Sequence, residues 1–129
     1  GRISPQQEMM ELLVKTLNVG KIEMRQAAVE TFMHVEINDA YPVLQAALND
    51  QDAGVRQRAI AALGELGDPN TLKDLRKHLL QDPHAGVRSE AAFRLGKLGD
   101  KNDLPVLQKA VNRDSATAVV LWATWQWQT

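Results

Sequence analysis

A repeat restricts the fold of this chain more than any other feature. GVRQRAIAALGELGD at residues 54–68 returns as GVRSEAAFRLGKLGD at 86–100, a displacement of 32 residues. Self-similarity at a fixed interval of that size marks stacked supersecondary units. A second pair, YPVLQAALND at 41–50 and LPVLQKAVNRD at 104–114, stands 63 residues apart, two such intervals. One interval back, MRQAAVETFMHV at 24–35 aligns with VRQRAIAALGEL at 55–66, and one interval forward AVVLWATWQW at 118–127 aligns with GVRSEAAFRL. The chain therefore reads as a single domain, residues 1–129, of four repeats at about 5–36, 39–66, 70–98 and 102–128.

Each repeat reads as two helices. In the second helix of repeat two, Val55, Ala59, Ile60, Leu63 and Leu66 recur at the period of a helix that buries one face, and Val87, Ala91, Ala92, Leu95 and Leu98 repeat them in repeat three. In the first helices, Leu44 and Leu48 correspond to Leu75 and Leu79, and to Leu107 and Val111. A lone hairpin cannot hide both stripes from water, so hairpins must stack and share one core. The punctuation agrees: Asp39, Asn70 and Asn102 stand where a short oxygen acceptor can begin a helix, Ser4-Pro5 opens the first one, and Pro42 and Pro105 fall in first turns. Gly67 and Gly99 suit the left-handed residue that often ends a helix. The spacing predicts helices near 5–18, 21–36, 39–49, 53–66, 70–81, 85–98, 102–112 and 115–127. No segment alternates apolar and polar residues long enough to compete as a strand. A four-helix bundle is the rival, but bundles have no need of a fixed sequence interval.

The expected fold is thus all-α, an α-solenoid of four helical hairpins. The pattern DxxxGVRxxAxxxLGxLGD, present as Asp50–Asp68 and Asp82–Asp100, resembles the HEAT-like repeats of the phycobilisome lyase family. The likeness is good over repeats two and three, moderate over repeat one and poor over repeat four, where Val120 replaces the arginine and Trp125 to Gln128 stand in place of the LGKLG portion. The resemblance implies a right-handed superhelix whose second helices line the inner face. It also implies a protein-binding scaffold, with a bilin lyase subunit or a chromophore-handling, chaperone-like factor as the alternative.

Composition excludes several other classes. The net charge is -1 with 24% charged residues, so no global basic field draws the chain to nucleic acid or to a membrane surface. With no cysteine, disulfides and thiolate metal or redox sites are excluded. There is no apolar run near 18 residues, and the N-terminus lacks a signal-peptide layout. A cytoplasmic location is the expectation, while Gly1 and the apolar C-terminal helix also suit a fragment of a longer protein or a mature form.

Arg25, Arg56 and Arg88 share one position near the start of successive second helices, and Asp50, Asp82 and Asp114 share another in the turns just before them. Stacked guanidinium groups repel unless paired, so an Asp–Arg ladder along the stack is expected, each arginine meeting the carboxylate of a neighbouring repeat. The inner face is expected to expose Gln57, Arg58, Ala61, Glu65, Glu90, Arg94 and Lys97. Such mixed charge suits a protein partner better than a nucleic-acid backbone. The last helix carries apolar groups all round, with Trp127 and Trp125 at positions held by Leu95 and Phe93. Trp122 falls where Glu90 and Arg58 stand, so Trp122 and Trp125 join Arg58, Glu90, Arg94 and Lys97 as candidate contact residues. This helix could also join two copies or continue the solenoid.

No catalytic, cofactor or metal site is expected. His34, His78 and His84 come from three separate elements and form no metal-binding pair, and Ser4, Ser89 and Ser115 have no neighbouring base at a diagnostic spacing. The sequence thus points to a non-catalytic scaffold that holds a protein on its concave face or through its last helix.

Overall fold

A computed structural model of the chain describes residues 2–118 and Leu121. The backbone divides into two compact units, residues 1–66 and 67–129, so the boundary falls between the second and third repeats.

The first unit holds α1 (Pro5–Val19), α2 (Ile22–His34), α3 (Ala40–Ala47) and α4 (Ala53–Leu66). Ser4 begins α1 through a reciprocal cap, its hydroxyl accepting from the Gln7 N–H at 3.2 Å while Gln7 Oε1 accepts from the Ser4 N–H at 2.8 Å. Asp52 does the same work for α4, with Oδ2 accepting from the Val55 N–H at 2.9 Å. Helix α1 packs on α2, α2 on α4 and α3 on α4. Leu13, Ala28 and Ile37 form a buried cluster, flanked by Met10, Leu17 and Phe32. Leu44 from α3 and Val55, Ala59, Ile60 and Leu63 from α4 are also buried.

The second unit holds α5 (Thr71–Gln81), α6 (Ala85–Leu98), a 3-10 turn (Lys101–Asp103) and α7 (Leu104–Arg113). Helical backbone resumes at 115–118 and is present at Leu121; the rest of the predicted eighth helix lies outside the described residues. Helix α5 packs on α6 and on α7. Its Leu75 and Leu79 are buried, as are Val87, Ala91, Ala92 and Leu95 of α6. Among the described residues there is no strand. Second helix lies on second helix in one unit (α2 on α4), and first on first in the other (α5 on α7), which is the neighbour pattern of an α-solenoid. No described helix is long and apolar enough to cross a membrane.

Four local expectations are corrected. Asp39, Asn70 and Asn102 make no side-chain cap: Asp39 has φ 61°, and Asn70 is already helical, so neither has the extended backbone that aims a capping side chain at the first turn. The carboxylates two residues earlier act instead, Asp68 Oδ1 accepting from the Asn70 N–H and Asp100 Oδ1 from the Asn102 N–H, each at 2.8 Å. Gly67 is left-handed at φ 71°, but Gly99 is extended; a Cβ there would lie 2.7 Å from the Leu95 carbonyl oxygen and 2.5 Å from Asp103 Oδ2, so close approach requires that glycine and handedness does not. Leu66 and Leu98 are 47% and 37% exposed, because each closes the last turn of its helix, where position on the face no longer guarantees a neighbour. Ala61, expected on an open face, is buried.

Candidate functional site

The turns within the second, third and fourth hairpins repeat one arrangement. In each of these three, an aspartate Oδ1 accepts the N–H two residues on: Asp50 from Asp52 at 2.9 Å, Asp82 from His84 at 2.9 Å, and Asp114 from Ala116 at 3.2 Å. This local turn holds the carboxylate still before any partner arrives. Arg25, on α2, then donates from Nε to Asp50 Oδ2 at 2.9 Å and from Nη2 to Oδ1 at 3.1 Å, the parallel two-bond fork of a guanidinium on a carboxylate. Arg88, on α6, donates from Nε to Asp114 Oδ2.

The third arm of each arginine turns back on its own repeat. Arg56 Nη1 donates to the Asp50 carbonyl at 2.9 Å, Arg88 Nη1 to the Asp82 carbonyl at 2.9 Å, and Arg25 Nη1 to the Gly20 carbonyl at 2.8 Å. Arg25 and Arg88 therefore tie a turn of one repeat to the turn of the next. Arg56 belongs to the first unit and Asp82 to the second. The electrostatics match the geometry. The bond to Asp50 raises the Arg25 pKa, while burial opposes it. The Arg88 guanidinium holds the Asp114 carboxyl below the usual carboxylate range, helped by the Thr117 hydroxyl at 3.0 Å. Groups so engaged with each other are poor candidates for gripping a ligand.

Two further polar links join α2 to the start of α4. Gln26 Nε2 donates to Asp52 Oδ2 at 2.9 Å, and Arg58 Nε pairs with Glu30 Oε1 at 2.8 Å. The Gln26 bond is the main reason that the Asp52 carboxyl lies below its ordinary pKa, and the Val55 N–H adds to it while burial opposes. Arg58 also donates to the Gly54 carbonyl at 3.1 Å. Its pair with Glu30 is open to water, which places Arg58 on an accessible part of α4.

On α6 the candidate residues come together around an aromatic ring. Lys97 Nζ sits 4.5 Å from the centroid of Phe93, and the Arg94 guanidinium carbon sits 5.3 Å from it. Arg94 Nε also pairs with Glu90 Oε2 one turn earlier, at 3.2 Å. Glu90, Phe93 and Arg94 are half-buried and Lys97 is exposed, so the strip offers an aromatic face edged by both signs of charge on a rigid helix. The other two candidates, Trp122 and Trp125, lie outside the described residues.

Two polar pairs that include a buried carboxylate have no counterpart in the sequence-based expectations. Asp103 is 2% exposed and receives Arg76 Nε at 2.6 Å. A signal was present: the repeat aligns Asp103 with Thr71 and Ala40, both buried, and a carboxylate at a core position demands a cation. His78 Nδ1 lies 3.0 Å from Asp82 Oδ2, with both residues buried. Among the described residues no group of three or more histidines and carboxylates is arranged to hold a metal ion. A groove of about 700 Å³ runs along α7, lined mainly by Leu104, Leu107, Val111, Ala118 and Leu121. Leu107 and Val111 align with Leu75 and Leu79, the buried core of the third repeat, so the groove is the interior side of the fourth hairpin.

Comparison with known proteins adds one finding: the model of the family described as HEAT repeats matches residues 41–126. No individual curated protein matches the chain significantly.

Proposed function

The chain belongs to the HEAT-repeat family, whose repeats commonly serve as protein-binding scaffolds, and from that membership we propose that it is a non-catalytic scaffold that grips a protein partner through the second helices of its hairpins. The observation that carries this reading is the α6 strip, where Arg94 and Lys97 both stand over the Phe93 ring and Arg94 is steadied by Glu90. Aromatic and arginine side chains held on a rigid helix are the residues that dominate binding energy at protein interfaces. Arg58 extends the surface on α4, and the sequence adds Trp122 and Trp125 of the last helix. A net charge of -1 gives little pull on a phosphate backbone, which favours a protein over a nucleic acid.

Affinity capture from native lysate with the full chain as bait, followed by mass spectrometry, tests the proposal. A specific partner that is retained by the wild type and lost from an Arg94→Ala/Lys97→Ala bait of equal stability supports it. Equal recovery on both baits removes α6 from the interface. A coloured complex on mixing with a free bilin would instead favour the finer reading drawn from the phycobilisome lyase likeness.

A further inference from the structure

Helix α1 carries two apolar stripes, and its own unit uses only one. Met10, Leu13 and Leu17 turn inward to Ala28, Phe32 and Ile37. A second stripe runs beside them through Pro5, Met9, Leu12, Thr16 and Val19, at spacings of four, three, four and three residues, the a/d alternation of a coiled-coil seam. It faces water: Met9 is 39% exposed, Leu12 59% and Val19 75%. The polar member, Thr16, is already satisfied, since its hydroxyl donates to the Leu12 carbonyl at 2.8 Å, so covering it strands no donor.

The charges beside this stripe select the occupant. Glu8 and Lys15 are exposed, seven residues apart, and each directly precedes a stripe residue, so both lie on one flank of the seam. The opposite flank includes Leu13, which is taken up by the core. In an antiparallel pair of identical helices each flank meets its own counterpart. A two-fold axis between Met9 and Leu12 would set Met9 against Leu12 of the second copy and Pro5 against its Thr16, and would place Glu8 beside Lys15 twice over. A parallel pair has no such match, because it would direct the charged flank of one helix at the flank that Leu13 occupies in the other.

We propose that α1 is a self-association surface, through which a second copy of this chain docks antiparallel along the Pro5–Met9–Leu12–Thr16 seam. It is separate from the α6 strip, so the two proposals stand or fall independently. Sedimentation equilibrium of the full chain over a concentration series up to about 0.5 mM tests it, with circular dichroism as a check on folding. The wild type is expected to pass from monomer to dimer, and Leu12→Glu to remain monomeric. Glu8→Lys and Lys15→Glu each set like charges together at both flank contacts, and each is expected to weaken the dimer about tenfold or more. Mixing those two variants makes every flank contact one of opposite charges again and should restore dimer. A wild type that stays monomeric throughout, or a dimer indifferent to all three substitutions, overturns the proposal. So would a mixture no stronger than its separate components.

Discussion

Asp52 is the joint at which the start of one helix is fastened to the preceding repeat, and replacing it tests the polar part of the packing directly. Its Oδ2 receives two donors, the Val55 N–H of its own helix and Gln26 Nε2 of α2, each at 2.9 Å. Asp52→Ala loses a helix cap, about 1 kcal/mol, and an inter-helix hydrogen bond to a charged acceptor, about 1 kcal/mol after allowance for partial exposure. The expected loss of about 2 kcal/mol corresponds to a fall in Tm of roughly 6–10 °C for a chain of this size. Urea unfolding should show a lower midpoint at an unchanged slope. A double-mutant cycle with Gln26→Ala isolates the second contribution, and a coupling below about 0.3 kcal/mol would refute the claim that this bond links the two repeats.

The pH dependence of Asp52 carries its own sign. Its folded pKa lies below the ordinary 3.8, so the carboxylate's contribution is fully present above that value and is lost as pH falls through the folded pKa. The stability gap between the wild type and Asp52→Asn should therefore stay flat from neutrality to about pH 4 and close below it. A gap that changes between pH 5 and 8 would mean that some other group is responsible.

Other substitutions separate roles that look alike along the chain. Arg88→Ala strips Asp114 of its guanidinium and the Asp82 carbonyl of a donor, at an expected cost of about 2 kcal/mol in thermal or urea unfolding. Because Asp114 is also held below its usual range, that cost should shrink as acid protonates the carboxyl. Leu63→Ala, at a fully buried position, should cost about 2–5 kcal/mol. Leu66→Ala, one turn later on the same face but 47% exposed, should stay within about 0.5 kcal/mol.

The helices, their pairing into hairpins and most of the core could be read along the chain. Helix formation follows from local backbone preferences and from apolar residues returning every three or four positions, so Val55, Ala59, Ile60 and Leu63 declare their burial within one segment. The repeat added equivalence: it set Arg25, Arg56 and Arg88 at one position and Asp50, Asp82 and Asp114 at another. A linear pattern could not say which atoms meet. That Arg25 grips both oxygens of Asp50, that Gln26 reaches Asp52, and that Arg76 crosses to Asp103 depend on how helices some 25 to 27 residues apart lie against each other. Nor could periodicity tell where neighbours run out. Leu66 and Leu98 fit the buried stripe and yet face water, Ala61 lies off it and is covered, and α1 turns a second apolar stripe outward beside the one that it buries. Period reports the direction in which a side chain points; only the packed arrangement of helices decides whether anything stands there to receive it.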